Sequence, residues 1–264
     1  MMIELCRQEA RKLLSQRYPY MILAVLVGLQ LLRTLTLALQ PPDSTLDVVS
    51  APQAWADGAG WGLRVLTFCI LVIGAMGFSR EFSLGTAKTM LALPVKRSAW
   101  YAAKLLSLVA LAWCLLAVMS LLGALAVSFT LGWGEVAREG VVLHGTSEYL
   151  SHMLRAFLMT ALFLLPLCAA ALLIGLYFGH SGPAVAVAVL SGMVLESVGG
   201  LFAVGEYSFL QHLYRPLGVV VRLGQGLPFR WDSSLHPGLT VAGISFVILA
   251  GWGLWRLERM DITD

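Results

Sequence analysis

Six runs of this chain stay apolar over a length that constrains everything else: residues 20–39, 61–78, 99–129, 149–178, 184–201 and 239–255. An α-helix rises about 1.5 Å per residue, so about 20 apolar residues cross the roughly 30 Å hydrocarbon core of a bilayer. Inside lipid the backbone has no water to bond, and a helix satisfies its own N–H and C=O groups within one segment. The runs therefore predict an all-α, polytopic membrane protein with six transmembrane helices. Composition matters here only as a check. Of 264 residues 12% are charged and mean hydropathy is +0.80, whereas a soluble domain carries about twice that charge. Residues 1–264 read as a single transmembrane domain.

The segments between the runs set the orientation. Over residues 3–17, Ile3, Cys6, Ala10, Leu13 and Leu14 recur at helical spacing, while Arg7, Arg11 and Lys12 fall on other faces. That pattern predicts an amphipathic helix lying on the membrane surface. A signal peptide is the competing reading of this start. Glu4, Glu9 and the long charged lead oppose it, as does Arg33, which interrupts the apolar run. All four lysines, Lys12, Lys88, Lys96 and Lys104, fall on the N-terminal side together with Arg7, Arg11, Arg17, Arg80, Arg97, Arg256 and Arg259. The excess of positive charge places both termini and the loop at 80–98 in the cytoplasm. Residues 40–60 and 131–148 read as polar outer loops, and Pro166 predicts a kink in the fourth span. Residues 202–238, with Pro216, Pro228 and Pro237, read as an outer segment that dips into the membrane before the last span.

Motifs of chemistry are missing from the sequence. It holds no GxxxxGK[ST] loop, so ATP is not bound here in that way. Nor does it hold HExxH or GxSxG, and the four cysteines are too far apart for a zinc or disulfide framework. No metal site and no enzyme activity are expected. Glu196, in the fifth span, is an ionisable group at membrane depth; it either pairs with Arg33 or reaches water at the span's end. The five histidines read as interfacial or loop residues, and Trp55, Trp61, Trp133, Trp231, Trp252 and Trp255 as an aromatic belt at span ends.

One loop carries a sharper pattern. Residues 80–104 read as a short cytoplasmic helix, a stop at Pro94 and a basic re-entry at Lys96 and Arg97. Phe82, Gly85, Thr86, Thr89 and Leu93 can share one face of it. The string Glu81, Gly85-Thr86, Leu91, Leu93-Pro94, Arg97 and Lys104 resembles the cytoplasmic loop of permeases of the type-2 ABC exporter family. The likeness is closest to the short six-span permeases of bacteriocin and bacitracin self-protection systems. It implies a connecting helix at 3–17, short re-entrant helices within 202–238, and a loop helix docked in a groove of a cytoplasmic ABC ATPase. Glu81, Gly85, Thr86, Leu93, Pro94 and Arg97 would form that coupling element, with Glu81 and Arg97 paired to each other or to the ATPase. ATP and Mg would belong to that partner, and a second permease chain, identical or related, would complete the unit among membrane lipids, with no nucleic acid. The rival expectation is an ATP-independent carrier or a membrane-embedded enzyme.

Overall fold

The structure is a computed structural model that describes residues 2–39, 50–88, 96–133, 136–138, 141–201, 207–227 and 231–260. A surface helix, α1 (Met2–Leu14), turns sharply into α2 (Tyr18–Ala38). Pro19 falls in the first turn of α2, where a missing N–H costs nothing. Two long helices follow, α3 (Ala51–Ser83) and α4 (Arg97–Thr130), of 33 and 34 residues. At about 1.5 Å per residue each is about 50 Å long, more than the hydrocarbon core requires. Next come α5 (Thr146–Tyr177), which continues through Pro166, then α6 (Ser181–Leu201), α7 (Phe209–Gly224) and α8 (Trp231–Arg259).

Among the described residues five helical segments are long and apolar enough to cross a membrane: Tyr18–Leu37, Ala51–Ser83, Arg97–Thr130, Ser147–Tyr177 and His236–Arg259. Ser181–Ser197 of α6 forms a shorter apolar helix. The arrangement fits a polytopic membrane protein. One short hairpin accompanies the helices among the described residues. Between α4 and α5, β1 (Val136–Arg138) pairs antiparallel with β2 (Val141–His144), in register Val136↔His144 and Arg138↔Val141. The β-branched Val136, Val141 and Val142 favour extended backbone there.

The bundle is built around α3. Of its apolar window 61% is buried, against 22% for α2 and 17% for α8, so α3 is central and the other two present broad apolar faces outward. Leu63, Leu66, Ile70 and Phe78 of α3 pack with Met119 of α4 and with Phe163, Leu164, Leu167 and Leu172 of α5. α3 and α5 approach closely at Gly175: a Cβ there would lie 2.5 Å from the Ala75 carbonyl oxygen. Small residues at such a crossing let two backbones touch, the usual device for packing helices in lipid.

Three sequence expectations change here. The helix that carries the second span begins at Ala51, not near residue 61, because Ala54, Trp55, Ala56 and Ala59 are buried within the bundle. Trp55 is therefore a core residue, its indole N–H donating to the Ser120 carbonyl at 2.9 Å, and not part of a belt. His212, expected at an interface or in a loop, is buried on α7 with its ring 6.2 Å from that of Phe163.

Candidate functional site

Four charged side chains meet where α1 crosses the last turn of α3 and the first turns of α4. Lys104 Nζ lies 2.9 Å from Glu81 Oε1 and 3.1 Å from Glu9 Oε2, and Lys12 also pairs with Glu81. The side chains of Lys104, Glu81 and Glu9 are 4%, 5% and 9% exposed, whereas that of Lys12 is 48% exposed. Two cations and two anions cancel, which is the condition under which charges tolerate burial. The ammonium of Lys104 also sits 5.3 Å from the Phe78 ring and 5.6 Å from the Trp100 ring. Those rings stack edge to face at 5.1 Å, so an aromatic wall closes the apolar side of the junction. The same Glu81 lines a cavity of about 40 Å³ with Lys12, Gln16, Tyr18, Met76 and Arg80, a volume that admits water.

Local sequence explains the placement. On α1, Leu5, Glu9 and Lys12 follow at spacings of four and three, one face of a helix, and that face turns toward α4. The membrane-surface expectation is thus only part of the story. Ile3 and Leu14, 83% and 50% exposed, share the outward side with exposed Arg7 and Arg11. A second face belongs to the protein interior, and Ser107 Oγ of α4 completes it by donating to the Cys6 carbonyl at 3.3 Å.

Just beyond the junction α3 stops. The Leu84 N–H bonds the Arg80 carbonyl and the Gly85 N–H bonds the Phe82 carbonyl at 3.1 Å. Gly85 has φ +69°, the left-handed conformation that a glycine adopts without a Cβ clash. Thr86 Oγ1 donates back to the Glu81 carbonyl at 3.3 Å, and residues 86–88 are again helical. Residues 83–86 are exposed, with Leu84 64% exposed, and Ala87 is buried. Leu93 and Pro94 lie outside the described residues.

Glu81 and Arg97 do not pair with each other. Glu81 is committed to the buried junction, while Arg97 Nη1 donates to the carbonyls of Leu257, Glu258 and Met260 at 3.2, 3.0 and 2.8 Å. A guanidinium there caps the C-terminal end of α8 and meets the negative end of its dipole. Nor do Glu196 and Arg33 meet. Arg33 Nε lies 2.5 Å from Asp57 Oδ2, and Glu196 is paired with Arg64 at 3.8 Å. Sequence reasoning passed over Glu9 as a site residue and took Lys104 only as part of a motif. The available signal was a lysine eight residues into an apolar helix, which demands a buried anion as partner.

Fold and junction together define a helical bundle of membrane-length apolar elements, with a neutral charged cluster tying a surface helix to two of them. The chain belongs to the family described as Protein of unknown function (DUF2705), which matches residues 20–263. No curated protein matches it.

Proposed function

We propose that this chain is the membrane subunit of an ABC-type exporter, in which a separate cytoplasmic ATPase hydrolyses ATP and this subunit moves the substrate. On this reading α2, α3, α4, α5, α6 and α8 are six spans, both termini are cytoplasmic, and α7 belongs to an outer re-entrant segment. Two such chains, identical or related, work with two ATPases in a bacterial cytoplasmic membrane. The supporting observation is the contrast between Glu81 and Leu84, three residues apart. Glu81 is held to α4 by a buried ion pair and to α1 through half-exposed Lys12, whereas Leu84 projects an apolar side chain into solvent at the helix end. An exposed apolar knob on a rigid mount suits a surface that receives a partner. A push on it passes through the junction into α3 and α4 together.

The pairing also redirects the mutational test. Glu81→Arg would set three cations against Glu9 and so probes the stability of the junction, not docking. Leu84→Asp changes an exposed side chain and leaves the ion pairs in place. A tagged full-length chain purified from its native membrane in mild detergent should bring down an ATPase with a Walker loop and hydrolyse ATP. Leu84→Asp should lose that partner while still inserting and eluting as a single species. A wild-type preparation with no associated ATPase would overturn the reading and favour an ATP-independent carrier.

A further inference from the structure

In the N-terminal half of α3 a second charged pair is built quite differently from the buried junction. Arg64 is 16 residues from Arg80, about 24 Å along the helix axis. Against a hydrocarbon core of roughly 30 Å, this places Arg64 within an arginine side chain's reach of the far headgroup layer. Its side chain is 57% exposed and that of Glu196, on α6, is 35% exposed. They approach only to 3.8 Å, and among the described residues neither makes a hydrogen bond. The guanidinium is held in place by two rings, 5.8 Å from the centroid of Trp61 and 5.9 Å from that of Tyr214. Five N–H donors thus lie beside a carboxylate, and none is hydrogen-bonded among the described residues.

The surroundings are apolar. Leu190, Met193 and Val194 of α6 are 60%, 53% and 56% exposed, and Trp61 is 52% exposed. Positions 190, 193, 194 and 197 share one face of α6, and Glu196 stands at its edge. An ion pair held at 3.8 Å without a hydrogen bond leaves donors and carboxylate oxygens open on such a surface, and a ligand that hydrogen-bonds both is favoured. That ligand needs an anionic oxygen cluster for Arg64, a cationic N–H group for Glu196 and an apolar tail for the α6 face. We infer that Arg64 and Glu196 form a headgroup site for an aminophospholipid in the leaflet opposite Glu81, with phosphate on Arg64 and ammonium on Glu196. Arg64 suits a phosphate because its planar fork donates two parallel hydrogen bonds. The four charges then alternate as they do in the Glu9–Lys104–Glu81–Lys12 junction. This goes beyond the transporter reading and does not depend on it.

The test uses the full chain in nanodiscs of equal parts phosphatidylethanolamine, phosphatidylglycerol and phosphatidylcholine, with retained lipid read by native mass spectrometry. The wild type should retain phosphatidylethanolamine about five-fold over the other two. Arg64→Gln should lower retention of all three lipids, and Glu196→Gln should abolish only the preference for the amine. Neither side chain is buried, so both variants should elute as the wild type does. Equal retention of the three lipids by the wild type, or unchanged retention in Arg64→Gln, would overturn the inference. Release of the lipid by millimolar inorganic phosphate would overturn it too, by assigning the site to free phosphate.

Discussion

Lys104→Met is the most informative single change at the junction. Its ammonium is 2.9 Å from Glu81 and 3.1 Å from Glu9, both nearly buried, and no other cation contacts Glu9 among the described residues. A unit pair near 4 Å contributes about 4 kcal/mol at an effective dielectric of 20, before desolvation is counted. Removing one partner of a buried pair strands the other, and the net cost is about 3–5 kcal/mol. For a chain of this size that corresponds to a fall in Tm on the order of 10 °C. Lys12→Met supplies the contrast. Lys12 is 48% exposed and Glu81 keeps Lys104 in its absence, so the loss should be no more than about 1 kcal/mol. Adding Glu9→Gln to Lys104→Met should recover much of the deficit, because Lys12 and Glu81 then balance and no charge is stranded. Thermal unfolding of purified protein in one detergent, followed by tryptophan fluorescence, checks all three. Equal shifts for Lys104→Met and Lys12→Met, or no recovery with Glu9→Gln, would refute the argument from burial.

Three further outcomes follow from geometry. Gly175→Val should cost about 1–3 kcal/mol, because its Cβ would press on the Ala75 carbonyl at 2.5 Å. Gly28→Ala, with open space around its Cβ, should be neutral or slightly stabilising in the same unfolding assay. Arg97→Met should release three carbonyls at the end of α8 and cost about 1–3 kcal/mol. Amide exchange should then quicken across residues 254–260 and stay unchanged in α2.

Apolar length made α2, α4, α5 and α8 legible, since a span must be continuous to cross lipid. The start of α3 was hidden because Ala51–Gly60 is rich in alanine and glycine and carries Asp57. Its burial depends on neighbours that hydropathy does not see. The hairpin between α4 and α5 was lost in a segment read as a polar loop. Charge partners were the least legible feature. Arg33 and Glu196 both stand out in apolar runs, yet each pairs with a residue on α3, Asp57 and Arg64. Opposite sign marks the candidates, and only helix packing chooses among them. Glu81 was singled out from the loop pattern, but its commitment to Lys12 and Lys104 rests on the docking of α1, which no spacing rule supplies.

The junction also bears on how the chain assembles. α1 brings Glu9 and Lys12, one charge of each sign, to a site where α3 and α4 already hold Glu81 and Lys104 in contact at 2.9 Å. Each half is neutral alone. α1 can therefore wait at the bilayer surface while the later helices insert, then dock without changing the net charge of the bundle. It can leave again without stranding an ion inside. A helix fastened in this way is a detachable clasp, closed by four matched charges and opened at no cost in net charge.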